Sequence, residues 1–344
     1  MSSSRKRHRS EVDDTALVDT ARPPRDAKGP FQSPTADCIL RSSDNVDYRV
    51  HKLILSLASP IFESMFSLPT PTPTDKSDGD SSTRDGLPVI PVPETSAILN
   101  TILCLCYPTH HKLTRDLSSL MTTYDAAEKY SMDDILPRLQ EQLIEIADYN
   151  TSSAYAFGYR HQLKSVVIAA AMATLPKPLS QLPSSPELER ITGTQLQKLN
   201  DFHNECQTSA SAMASRYKGW SWIPDISYLP VGSMEKTCVC QTEVMLYGSN
   251  LALISYDESS VWCAKWFEEY MVRAQSALRH RPVGSTVTDD DLLVPALRQA
   301  AQCGKCEAGM GEMLQFSRVF SEEIDIAVRE IAERVFADIG PSTG

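Results

Sequence analysis

Glycine is scarce, with 14 in 344 residues, and too scattered to wrap a phosphate in backbone amides. Neither G-x-G-x-x-G nor G-x-x-x-x-G-K-[ST] occurs. The G-x-S-x-G elbow and the H-E-x-x-H pair are also missing, which removes the usual marks of serine hydrolysis and zinc proteolysis. No apolar run reaches the ~18 residues that cross a bilayer; the longest, around Val166 to Leu175, is too short. Positive charge is short as well. Lys and Arg number 33 against 44 Asp and Glu, a net charge of −11, and broad contact with nucleic-acid phosphates needs the opposite balance. The start, "MSSSRKRHRS", has charge without an apolar core, so no secretory signal is expected. Nine cysteines, an odd number beside no export signal, point to a reducing intracellular setting and to free thiols or metal ligation.

What is present is an apolar pattern. In "DYRVHKLILSLASPIFESMF", residues 47–66, the apolar positions Val50, Leu53, Ile54, Leu57, Ala58, Ile61, Phe62, Met65 and Phe66 recur in steps of three and one, the period of one helical face. A proline inside a helix costs ~3 kcal/mol. Ser59-Pro60 therefore reads as an N-cap followed by the first helical residue, where proline is favourable. Two short helices are expected, Lys52 to Ala58 and Pro60 to Phe66.

Around them the chain divides. Residues 1–30 are polar and Pro-containing, an expected disordered tail. Arg5, Lys6, Arg7 and Arg9 in it form a compact basic cluster, read either as a nuclear import signal or as a solvated charge run. Cys38 to Leu40 and Tyr48 to Val50 are strand-like, with Ser42 to Asn45 as their turn. Residues 67–86 are a Pro/Thr/Ser/Asp tract with nothing to bury, an expected disordered loop. "LPVIPV" resumes as a short strand at a sheet edge. Helices follow, with Ile98, Ile102, Leu105 and Cys106 on one face, then Tyr124, Ala127 and Tyr130, then Ile135, Leu139, Leu143 and Ile146. From residue 150 to 340 the pattern is mainly helical. Trp262, Trp266, Tyr270 and Ala274 stand at helical spacing, and a last helix runs from about Glu312 to Phe336.

Strand hairpin, helical hairpin, strand and helix cluster together resemble the BTB/POZ domain. The likeness rests on Asp37 with "CIL", "YRVHKLILSLASPIFESMF", "PVI", "LCLCYP" and "AAEKYSMDDI", over residues 31–149. "WCAKWFEEYM", "ALRHRPVGSTVTD", "LRQAAQCGKC" and "EEIDIAV" further on look like the C-terminal half of fungal BTB-containing proteins. The resemblance implies an α+β fold, a small sheet flanked by a helix cluster, and a protein-interaction module. Such modules often homodimerise, and some recruit cullin-type ubiquitin ligases or transcriptional co-repressors. It also implies a charged pocket at the dimer groove, whose matching positions are Asp37 and Lys52; read from the residues alone, these are equally a cap and a surface charge. Cullin binders commonly carry a hydrophobic-x-Glu motif after the helical hairpin, and residues 67–86 contain no glutamate. That counts against the adaptor reading.

The remaining chemistry lies in cysteine. Cys238 and Cys240 in "CVC" and Cys303 and Cys306 in "CGKC" would supply four thiolates for tetrahedral zinc, with Gly304 easing the knuckle. His203 and Cys206 in "HNEC" offer an alternative pair. The plainer reading, preferred on sequence alone, is small buried thiols that fill helix contacts. Acidic Asp289 to Asp291 and Glu322 to Asp325 read as residues favouring helix N-termini. The expectation is a non-catalytic interaction protein, nuclear or cytoplasmic, with no cofactor beyond structural zinc. Its partners would be proteins: a second copy, a client, and in the alternative reading a cullin. A nuclear transcription-related co-factor is the further alternative. No nucleic acid, membrane or small-molecule substrate is expected.

Overall fold

The structure, a computed structural model, describes residues 23–68, 83–108, 113–215, 222–223, 230, 237–245 and 260–340. They divide into two compact units, one holding the chain up to residue 114 with 122–139, the other holding 115–121 and everything from 140 onward.

The first unit is built on five strands: β1 (Arg25–Asp26), β2 (Cys38–Arg41), β3 (Val46–Val50), β4 (Thr83–Arg84) and β5 (Leu87–Pro91). Their order in the sheet is β1-β3-β2-β5-β4. The hairpin of β2 and β3 sets Cys38 opposite Val50 and Arg41 opposite Asp47. Asn45 turns it with a positive φ of 59°, a conformation asparagine tolerates well. β1 adds to β3 in parallel, and β5 adds to β2 in parallel. Two expectations change here. Residues 25–26, assigned to the tail, pair with Val46 and Asp47 and extend the sheet. Residues 83–84, assigned to the loop, pair with β5, so β4 takes the edge expected for "LPVIPV". Both strands are two residues long and polar, so no apolar alternation announces them.

Helices α1 (Lys52–Ala58) and α2 (Pro60–Ser67) follow β3. Their junction is fixed by Ser59, whose Oγ accepts the Phe62 amide at 3.1 Å while its hydroxyl donates to the Tyr130 carbonyl at 2.5 Å. Pro60 occupies the first helical position, where it has no amide hydrogen to waste. Phe62 stacks on Tyr130 at 4.6 Å. Then come α3 (Ser96–Cys106), α4 (Leu117–Lys129) and α5 (Leu136–Glu145). The buried face of α3 is Ile98, Leu99, Ile102 and Leu103, one position round from expectation, so Leu105 and Cys106 stay part-exposed. Tyr124, Ala127 and Tyr130, and Ile135, Leu139, Leu143 and Ile146, are buried.

The second unit is mainly helical: α6 (Thr151–Arg160), α7 (Lys164–Thr174), α8 (Gly193–Met213), α9 (Lys265–Leu278), α10 (Asp290–Ala300), α11 (Gly304–Glu307) and α12 (Met310–Val335). A capping box at Thr192 and Gln195 starts α8. Phe267, Phe316 and Phe320 form an aromatic core with Trp222, which stacks on Phe320 at 4.8 Å. Two strands, β6 (Gln241–Met245) and β7 (Ser260–Ala264), pair antiparallel. The hairpin was not expected. Trp262 belongs to β7, so the helical stripe begins only at Trp266. Glu322 to Asp325 also changes role: it lies inside α12, and Asp325 accepts the Gly284 amide at 2.8 Å.

Candidate functional site

The charged centre of the first unit is Asp47. Its side chain is wholly buried and accepts from Arg41 Nε at 2.6 Å and Nη2 at 2.9 Å. A second guanidinium, Arg84 Nη1, reaches it at 2.6 Å and also stands 3.0 Å from Asp26. Burial alone would raise the Asp47 pKa, but the two arginines outweigh it and hold the carboxylate below its ordinary value. Sequence reasoning missed this group. The available signal was an aspartate flanked by strand residues in "VDYRV", which a strand has no reason to carry unless it is paired.

Asp37, the expected buried acid, is instead exposed in the single chain. Its Oδ1 accepts the Lys52 backbone amide at 2.7 Å, so it caps the start of α1. The Lys52 ammonium lies 5.8 Å from the centre of the Phe66 ring. Within the single chain the two residues meet through the Lys52 backbone amide. Lys52 opens α1, so its amide has no partner within the helix and is free to donate to Asp37.

The face expected to be uniformly apolar splits in two. Of that face Val50 and Phe62 are fully buried, whereas Leu53 and Leu57 are 70% and 78% exposed and Ile61 is exposed; Leu55, which the periodicity left off the face, is fully buried instead. Leu57 lines a groove of about 460 Å³ together with Ile54, Ala58, Leu105, Ile135 and the charged Asp134 and Arg138. Arg5, Lys6, Arg7 and Arg9 lie outside the described residues, as does most of the tract 67–86.

In the second unit the structure brings Cys238, Cys240, Cys303 and Cys306 together, all four sulfurs within 4.8 Å of one another. Cys238 Sγ is 3.4 Å from Cys303 Sγ and 4.0 Å from Cys306 Sγ. Backbone amides of Cys306 and Lys305 lower the Cys303 pKa to about 6, while Cys240 is pushed up to about 12, first by Cys303 and then by Cys238. Gly304 is not needed for the knuckle, since its φ is unremarkable and a Cβ there would meet nothing. His203 and Cys206 do not pair as ligands. His203 Nε2 binds Thr174 Oγ1 at 2.6 Å, and Cys206 is a buried thiol whose pKa burial raises to about 12.

Residues 30–147 match the family model of the BTB/POZ domain. No curated protein matches the chain. The matched span holds the five-stranded sheet from β2 onward, the α1–α2 hairpin and α3 to α5. This chain therefore carries a BTB/POZ domain, a protein–protein interaction module, followed by a mainly helical region.

Proposed function

We propose that the protein is a non-catalytic interaction protein of the fungal BTB type, which self-associates through α1 and recruits a client through the rest of the chain. The observation that carries this is the exposure of Leu53 and Leu57, 70% and 78%, one turn apart on α1. Two leucines so open, one of them in the wall of a groove, cost solvation that a second copy of the same face removes. Burying each is worth roughly 1.5–3 kcal/mol. The groove that Leu57 lines offers a seat for the leucine of the facing helix. Ile61 extends the patch onto α2.

The test is the mass of the full chain by light scattering across a concentration series. A dimer is expected, reduced to a monomer in Leu53→Asp/Leu57→Asp with the helix signal in circular dichroism unchanged. A wild-type monomer at every concentration, or a dimer indifferent to the two aspartates, overturns the reading. Affinity capture of the tagged chain from its native cells then identifies the client, and enrichment of a cullin with its partner subunits would make the protein a ligase adaptor.

A further inference from the structure

We propose that Cys238, Cys240, Cys303 and Cys306 bind one Zn²⁺ as a structural tetrathiolate centre of the helical unit. The sulfurs already stand where such an ion needs them. Zinc–sulfur bonds of ~2.3 Å in a tetrahedron set the sulfurs ~3.8 Å apart. Cys238 Sγ stands 3.4 Å from Cys303 Sγ and 4.0 Å from Cys306 Sγ, and no two of the four sulfurs are more than 4.8 Å apart. Changes of up to about 1 Å in these separations would regularise the set around a central cation.

The burial and the neighbours fit a closed site. Cys306 is fully buried and Cys238 is 8% exposed. Four protein thiolates leave no coordination position for water or substrate, which is the mark of a structural centre. An all-sulfur tetrahedron suits zinc and excludes the hard ions calcium and magnesium.

The surroundings also supply what thiolate ligands take in addition to a metal, namely N–H donors. The Cys240 amide points at Cys238 Sγ, 3.5 Å away. The indole N–H of Trp266 is buried without a conventional acceptor and faces the Cys306 thiol. That donor is an independent sign, because a buried indole N–H normally finds a partner. The first knuckle is braced as well. Gln241 Oε1 accepts the amides of Thr237 and Cys238 at 2.7 and 2.9 Å, and Lys305 from the second knuckle donates to the Thr237 carbonyl at 2.6 Å. The two knuckles are thus held together by groups other than the sulfurs.

A disulfide accounts for less. It requires an S–S distance of ~2.05 Å, and all four thiols are free, with Cys238 and Cys303 3.4 Å apart. The ion would tie the segment that enters β6 to the junction of α10 and α11.

The full chain, purified under reducing conditions without chelator, is analysed for metals by mass spectrometry and then reconstituted with Co²⁺. About one zinc per chain is expected, together with the charge-transfer and intense d–d absorption of tetrahedral tetrathiolate cobalt. Cys303→Ser/Cys240→Ser should lose the metal, whereas Cys206→Ser, at a buried cysteine outside the cluster, should keep it. If the double variant does not fold, the wild-type metal content and cobalt spectrum still decide. Zinc well below one per chain, a Cys238–Cys303 disulfide in peptide mapping, bound iron, or a cobalt spectrum of mixed oxygen ligation overturns the assignment.

Discussion

Arg84 on β4 and Asp47 on β3 are joined at 2.6 Å although β2 and β5 lie between their strands in the sheet. The same guanidinium reaches Asp26 on β1, the opposite edge, at 3.0 Å. A flat sheet would hold these edges more than ten ångströms apart at the usual ~4.8 Å strand spacing. The sheet is therefore curled, and the ion cluster closes it.

Removing one side of a buried pair leaves the other charge unanswered, at a cost of roughly 3–5 kcal/mol. Asp47→Asn should lose stability on that order in urea titration, because Arg41 and Arg84 then face each other. Arg84→Ala should cost less, since its side chain is partly exposed. A change below ~1 kcal/mol for Asp47→Asn would show that the cluster does not hold the sheet.

Two groups make the stability depend on pH with the same sign. Asp47 has a native pKa below its unfolded value, so its contribution is present above the ordinary carboxylate range and lost as pH falls through the lower native value. His203 is held at about 4 against 6.5 by burial. It stays neutral in the native state while the unfolded chain takes up a proton, so stability is lost as pH falls from 6.5 toward 4. Comparing urea midpoints of wild type and His203→Gln across that window checks this. The variant should show a shallower slope; parallel curves would assign the slope to other groups.

Leu55 and Leu57 sit two residues apart and should behave oppositely. Leu55 is fully buried, and Leu55→Ala should cost roughly 2–5 kcal/mol. Its effect on melting should be the same at every protein concentration. Leu57→Ala should leave the single chain within ~0.5 kcal/mol of wild type but weaken any concentration dependence of the melting temperature, as loss of a self-association contact would. Thermal melts at two well-separated concentrations distinguish the cases.

Gly284 marks a close approach in the helical unit. A Cβ there would run into the Ser321 carbonyl oxygen and Asp325 Oδ2, the latter at 2.7 Å. Gly284→Ala must push its segment off α12 and break the Gly284–Asp325 hydrogen bond. The expected loss is on the order of 1–3 kcal/mol or more, measurable by urea unfolding; an unchanged midpoint would mean the segment can shift freely.

The α1–α2 break was legible because proline and serine dictate local geometry, and Ser59-Pro60 has one low-energy arrangement. The buried stripes of α4 and α5 were legible for a similar reason, their spacing being that of a helix. The face of α1 was misplaced: periodicity put Leu53 and Leu57 on the covered face and left Leu55 off it, whereas the chain buries Leu55 and exposes the other two. β1 and β4 were not legible, since two polar residues carry no period. The cysteines were ambiguous in sequence because 62 residues separate Cys240 from Cys303, and spacing of that length says nothing about proximity. Asp47 could have been suspected from its place among strand residues. Its partner Arg84, at the end of a Pro/Ser/Asp tract, could not.

That anchorage has a consequence for how the domain tolerates change. The tract after Ser67 leaves a helix fixed by Ser59 and rejoins the sheet where Arg84 is locked onto Asp26 and Asp47. Both borders are secured by side chains outside the stretch between them, so a change in its length leaves the Ser59 cap and the Arg84 ion cluster in place. Evolution or an engineer can thus treat it as a cassette, inserting a tag, a modification site or a binding peptide without rewriting the sheet.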